Sequence, residues 1–176
     1  MFRERGFADT GMRDIAVAAE LSPANLYHYF KGKDEILFYC QDRALDRMLA
    51  GVAAARRATT RPDQRLLAVL TTHVLTMLDE VEGATAHLQV EALAPPMRAT
   101  IVRKRDRYER SLRRLLADGM ASGAFVAGDA ALLTRAMLGA LNWVVTWYRP
   151  DGAHSPRQIA DEFARYLVRG VLRGGH

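Results

Sequence analysis

The densest run of chemistry-bearing side chains lies between Ser22 and Lys33. Ser22, Asn25, Tyr27, His28 and Tyr29 place hydroxyl, amide and imidazole groups within one short stretch, and Lys31 and Lys33 follow immediately. Amides, hydroxyls and imidazoles can hydrogen-bond base edges, and ammonium groups meet phosphate. Leu26 and Phe30, four residues apart, give such a helix an inward anchor. A second set is cationic. Arg103, Arg107, Arg110 and Arg114 recur at i, i+4, i+7 and i+11, one helix face suited to phosphate oxygens or, equally, to solvent or intersubunit ion pairs. Catalytic chemistry has no comparable pattern: no nucleophile–base arrangement or glycine-rich phosphate loop stands out. His73 and His87 lie near Asp79, Glu80 and Glu82 at no metal-ligand spacing, so a solvated acidic helix end is expected there. The one cysteine, Cys40, excludes an internal disulfide and a cysteine-rich zinc site, and is expected on the inner side of a connecting helix. No catalytic residue, metal or cofactor is expected.

The elements that must position these residues are helical. Apolar residues recur at helical spacing nearly throughout, and no run of four or more alternates as a strand would. An all-α fold is expected. Thr10 is the expected cap of a first helix over Met12–Ala19. Ser22 and Pro23, a capping residue followed by proline, are expected to start a second, ending near Tyr29. A long helix from about Asp34 to Arg57 spans roughly 35–40 Å, enough to join two domains. Further helices are expected from Pro62 to about Val81, over Ala86–Leu93, from Met97 to Met120 after a turn at Pro95-Pro96, from Asp129 through Trp147, and from Pro156 to Leu172 behind a Ser155 cap. The Asp129–Trp147 segment is apolar on almost every side and is expected to be central and buried. The division expected is a helix-turn-helix head over 1–45 and a helical ligand-binding and dimerisation domain over 46–176.

Composition sets the outer bounds. The 176 residues are 49% hydrophobic, enough for a real core, and carry a net charge of +5. The excess is unevenly placed: residues 1–60 hold nine basic and eight acidic side chains, whereas Arg98–Arg114 hold eight and two. Charge alone therefore does not argue for nucleic acid. No apolar run approaches the ~18–20 residues of a membrane span, and Met1-Phe2-Arg3-Glu4 places charges where a signal peptide needs apolar residues. A soluble, reduced, cytoplasmic protein without a membrane partner is expected.

Two short helices joined by a tight turn form the helix-turn-helix plan, in which the second helix enters the major groove and the first crosses the backbone. Arg5-Gly6-Phe7, Gly11-Met12-Arg13-Asp14-Ile15-Ala16, Ser22 and the run Leu26-Tyr27-His28-Tyr29-Phe30-Lys31-Gly32-Lys33-Asp34-Glu35-Ile36-Leu37 together resemble the DNA-binding domain of TetR-family transcriptional repressors. The resemblance implies an all-helical homodimer that binds double-stranded operator DNA and carries a variable effector domain. By position it implies that Thr10, Tyr27 and Lys33 contact phosphates, and that Pro23, Ala24, Asn25 and Tyr27 or His28 face base edges. Family members have a full helix before the Arg5-Gly6-Phe7 segment. Here Met1-Phe2-Arg3-Glu4 looks like its last turn only, so either the chain begins upstream or the head is weakened.

The C-terminal half, from about residue 85 to 172, is similar to a TetR subset that controls catabolism of fatty acids, aromatic acids or steroids, many of whose members sense acyl-CoA thioesters. An acyl-CoA needs an apolar tunnel and cations for its phosphates. Met77, Leu88, Leu93, Met97, Met137 and Leu141, with Trp143 and Trp147, are the candidate lining, and Arg103, Arg107 and Arg110 the candidate phosphate ligands. Leu138, Leu141, Val145, Phe163, Leu167 and Val171 exceed what a small monomer core is expected to take, which points to a homodimer through the last two helices. Two alternatives stay open: a multidrug-type repressor sensing hydrophobic molecules, and a helical dimerisation module with an impaired DNA head.

Overall fold

Local signals set most helix starts. The computed structural model describes residues 9–79 and 90–174. Helix α1 is Met12–Ala18, and its N-cap is Gly11, one residue beyond the expected Thr10, because Asp14 in the first turn accepts the Gly11 N–H at 3.0 Å. Thr10 is buried instead. Glu20 turns the chain at a left-handed φ of 55°. Helix α2, Pro23–Tyr29, starts as its sequence dictates: Ser22 Oγ accepts the Asn25 N–H at 3.1 Å, and Pro23 fills a first-turn position that needs no donor. Helix α3, Lys33–Ala58, is the long connector. Then follow α4, Pro62–Asp79, α5, Pro95–Ala121, α6, Ala130–Trp147, and α7, Pro156–Arg169. Asp129 caps α6 by accepting two backbone N–H bonds, and Ser155 with Gln158 makes a reciprocal capping box on α7.

Three expectations are corrected here. Pro95 and Pro96 open α5 rather than forming a turn ahead of it, since neither needs an intrahelical acceptor in the first turn. Helix α7 ends at Arg169, because the following chain pairs back: the Val126 N–H donates to Val171 O at 2.9 Å and the Arg173 N–H to Ala124 O at 3.1 Å. Helix α6 is not buried all round, for Leu132 and Trp143 are each 64% exposed and Trp147 45%. The expected helix over Ala86–Leu93 lies mostly outside the described residues; Val90–Ala92 form a single 3₁₀ turn.

The central element is α4, which packs on α3, α5, α6 and α7. It supplies enough surface that Leu141, Val145 and Val171 are buried within one chain, with Leu138, Phe163 and Leu167 half-buried on the same core. The surplus apolar surface is therefore a different set from the one expected.

Helix α3 runs through every apolar cluster. Ile36 joins Ala16 and Leu26 in the head, where Cys40 is half-buried. Leu37 and Leu45 meet Leu93 and Ile101 at the junction. Met48, Val52 and Ala55 enter the body core. Lys104 of α5 ties the middle of this helix down, reaching Asp42 at 2.5 Å and Asp46 at 2.7 Å. Burial opposes its charge, but the two carboxylates outweigh that and hold the Lys104 pKa above its ordinary value. One continuous helix thus joins the head, the junction and the body core.

Candidate DNA-binding face and effector cavity

Helix α2 buries one side chain and exposes the rest. Leu26 is buried at 4% exposure against Ala16 and Ile36, while Pro23, Ala24, Asn25, Tyr27, His28 and Tyr29 are all exposed. Tyr27 is 54% and Tyr29 71% exposed, and the His28 and Tyr29 rings meet edge-on at 5.2 Å. A helix that spends six of seven side chains on solvent is held for a surface outside the chain. Lys33 opens α3 next to it, half-buried, and the Lys31 N–H is fixed by Glu35 at 2.8 Å. Two of the expected contacts have structural positions: the Ser22 hydroxyl oxygen caps α2, and Thr10, at 1% exposure, is withdrawn from solvent.

Among the described residues few cations serve this face, so each carries a measurable share of affinity. Lys33→Ala is expected to weaken binding equally across operator sequences and to lower the slope of log K against log salt by about 0.9, one phosphate's worth. Asn25→Ala is expected to change sequence preference instead. Gel shifts across a salt series check both; a Lys33→Ala slope equal to wild type would remove the phosphate contact.

The body holds a cavity of about 260 Å³ between α3, α4, α5 and α6, lined by Leu45, Met48, Met77, Leu138 and Val145 with a polar side of His73, Tyr108 and Asn142. His73 Nδ1 lies 3.0 Å from Tyr108 Oη and Nε2 lies 3.2 Å from Asn142 Oδ1. With the proton on Nε2, the imidazole donates to Asn142 and accepts from Tyr108, so both ring nitrogens are satisfied in the neutral form. Burial pushes the His73 pKa down to about 4 against the opposing Asn142 hydrogen bond, and pushes the Tyr108 phenol up. The polar side is therefore neutral. Charge enters at Arg105, Asp106 and Glu109, which also line the cavity. Burial draws the Arg105 pKa down, opposed by Glu91.

The depressed His73 pKa makes a stability prediction. The unfolded chain binds a proton near pH 6.5 and the folded chain only near pH 4, so the contribution is complete above pH 6.5 and is lost as pH falls from there toward 4. The loss over that window is about 3 kcal/mol. Urea melts of wild type and His73→Gln at pH 7 and pH 4.5 check it; an equal pH dependence in both proteins would refute it.

Of the residues expected to line a ligand tunnel, Met77 alone lines this cavity among the described residues. Met137 and Leu141 are buried in the main core. Leu93 and Met97 pack at the junction with Leu37, and Leu88 lies outside the described residues. Trp143 and Trp147 face solvent. Arg107 and Arg110 line a separate surface concavity with Arg56, Ser111 and Arg114, and Arg103 donates to Thr100 Oγ1 at 2.9 Å. Sequence reasoning missed His73, Tyr108 and Asn142 as a unit. Tyr108 was legible only as part of an apolar stripe, and no local spacing links the three.

A short exposed helix, joined by one long helix to a body with a cavity open to solvent at Asp106 and Asn142, is the architecture of a DNA-binding regulator responsive to a small molecule. Residues 1–40 match the family model for bacterial regulatory proteins of the tetR family, and residues 59–171 that for the tetracyclin repressor-like C-terminal domain. The chain belongs to the TetR family and is a ligand-responsive transcriptional repressor of that type. Members of the family are non-enzymatic, bind operator DNA and small-molecule effectors, and form homodimers. The HTH-type transcriptional repressor KstR2 of Rhodococcus jostii (strain RHA1) is 30% identical over 97% of this chain and 85% of its own length. The crystal structure of the TetR-family regulator PfmR from Thermus thermophilus is 34% identical with a TM-score of 0.83, over 98% of this chain and 94% of that one. That of AibR in complex with isovaleryl coenzyme A and operator DNA is 25% identical with a TM-score of 0.72, over 95% and 91%. Among the described residues no helix is long and apolar enough to cross a membrane, and no cluster of three or more His, Cys, Asp or Glu could hold a metal.

Proposed function

We propose that this repressor takes an acyl-CoA thioester as effector, with the acyl group in the α3–α6 cavity, and leaves its operator when the ligand binds. The observation that carries the reading is a shared wall: Leu45 and Met48 line the cavity and belong to the helix that carries the head. A ligand that favours a different α3 position lowers DNA affinity by its differential affinity for the two states. The AibR complex supports the ligand class alone, because it holds isovaleryl coenzyme A; it holds operator DNA at the same time, so release rests on the shared α3 wall. The regulated genes serve lipid, aromatic-acid or steroid catabolism, and the protein acts in the cytoplasm. DNA contact is through Ser22–Lys33, and the head and body divide near residue 45. The dimer forms through α6 and α7, setting two recognition helices about 34–36 Å apart.

One observation favours a second reading. Arg103, Arg107 and Arg110 are absent from the cavity lining, so a neutral hydrophobic effector of multidrug type would meet a largely apolar wall. Calorimetric titration with acyl-CoAs of graded chain length and the matching free acids separates the two. Binding of thioesters with release of operator DNA supports the first. Equal affinity for acid and thioester, or binding of neutral drugs only, overturns it in favour of the second.

A further inference from the structure

The outward face of α5 holds guanidinium groups without an evident structural task. Arg107, Arg110 and Arg114 recur at i, i+3 and i+7 and, with Ser111 and with Arg56 from the last turn of α3, line a concavity of about 200 Å³. It lies roughly half a helical turn around α5 from Arg105 and Glu109, so the helix itself separates it from the effector cavity. Other cations of α5 are engaged: Arg98 with Glu91 at 2.7 Å, Lys104 with Asp42 and Asp46, and Arg113 with Glu109 at 3.7 Å. Among the described residues no carboxylate lines the concavity. Arg56 is not needed to cap α3 either. Arg65 does that, donating from Nε to Thr59 O at 2.6 Å and from Nη2 to Arg56 O at 3.4 Å.

Four like charges drawn from two helices around one hollow repel one another until an anion is shared between them. Guanidinium forks match phosphate oxygens two at a time. A carboxylate, with one charge and two oxygens, uses less than half of such a set, whereas two adjacent phosphates use all of it. The operator does not fit the position. Arg56 lies 23 residues along α3 from Lys33, and at about 1.5 Å per residue it sits roughly 35 Å from the head. We propose that Arg56, Arg107, Arg110 and Arg114 form a binding site for a diphosphate group, separate from the effector cavity and bridging α3 to α5. The group comes either from a free nucleotide or pyrophosphate or from the phosphates of a coenzyme A. By bridging the two helices the site biases the same α3 position that the cavity biases, so its occupancy and that of the effector cavity are coupled.

The test is calorimetry at low salt on the full-length dimer, with inorganic pyrophosphate, ADP, coenzyme A without an acyl group, and orthophosphate. One site per chain is expected, with pyrophosphate binding about tenfold or more tightly than orthophosphate. The double substitution Arg110→Gln, Arg114→Gln is expected to weaken it about a hundredfold, and Arg56→Gln about tenfold, since both helices contribute. Arg110→Lys keeps the charge and loses the fork, and is expected to fall between wild type and Arg110→Gln. Coenzyme A binding far more tightly than pyrophosphate and ADP identifies its phosphates as the source; comparable affinities identify a free diphosphate. Melting temperatures within a few degrees of wild type show that these exposed variants fold. No binding by any of the phosphates, affinities unchanged in the folded variants, or variants that alter operator binding alone would overturn the site. The effector reading is tested apart from these results by titrating acyl-CoAs of graded chain length into the Arg110→Gln, Arg114→Gln protein, where only the acyl-chain dependence remains.

Discussion

Gly119→Ala is expected to lower the melting temperature by about 10 °C, and Gly119→Val to prevent folding. Gly119 is a buried position near the end of α5, and a Cβ built there would lie 2.1 Å from Cδ2 and 2.2 Å from Cε2 of Phe125. Those are ring atoms of a side chain that is itself 1% exposed in the main core, so the ring can yield only by displacing packed neighbours. The backbone cannot yield easily either. Gly119 O accepts the N–H groups of both Ala124 and Phe125 at 3.0 Å, and Phe125 bridges to Leu172 beyond α7. Overpacking of this kind costs about 3 kcal/mol, and about 3 °C is lost per kcal/mol in a chain of this size. Gly128→Ala is the control, since nothing lies within 4 Å of a Cβ there. Phe125→Leu in the Gly119→Ala background should recover part of the loss by removing the atoms in conflict. Thermal melts of the four variants beside wild type check this, and Gly119→Ala melting within about two degrees of wild type would refute it.

What was legible in the sequence was local. The Ser22 cap with Pro23 behind it, the helix start at Asp129 and the Ser155 cap each involve residues two or three positions apart, and each forms where the sequence places it; the structure adds Gln158, which completes a box with Ser155. The head was legible for the same reason, since its turn, cap and inward Leu26 all fall within one short stretch of chain. The cavity was not. His73 meets Tyr108 across 35 positions and Asn142 across 69, and only the packing of α4 between α5 and α6 brings the three together. Helical spacing put Arg107, Arg110 and Arg114 on one face, as it must, but spacing carries no information about which way that face looks. Nor does it show that Arg56 of α3 would complete the group.

Helix α6 shows a further limit of the same kind. An apolar residue at nearly every position reads as a buried helix whether the covering surface is the same chain or another copy of it. In the structure one face goes inward, with Met137, Leu141 and Val144 buried, and the opposite face stays open. The open face runs Leu132, Ala136, Gly139, Trp143, Trp147, large residues at the ends and small ones between, with exposed Tyr166 on α7. A two-fold interface presents the same patch from both sides, and an open apolar face of this kind can serve as that patch.

Trp143→Glu is therefore expected to give a monomer at micromolar concentration and to weaken operator binding at least a hundredfold. The indole at position 143 is 64% exposed and belongs to no core cluster of its own chain, so the variant should keep the wild-type circular dichroism spectrum. Trp147 is a poorer probe, since its ring also packs edge-on against Phe163 at 6.3 Å and its loss would mix folding with assembly. In a two-fold dimer each substitution is present twice, placing two carboxylates in a contact built from apolar surface. Removing a buried tryptophan forfeits about 150–250 Å² of contact, and leaving a carboxylate unpaired there costs several kcal/mol more. Losing the dimer removes the second recognition helix from the operator, and a single helix with few phosphate contacts binds with little more than non-specific affinity. Sedimentation equilibrium gives the subunit count and gel shifts give the operator affinity. A folded Trp143→Glu protein that is still dimeric and binds its operator as wild type does would move the interface away from α6.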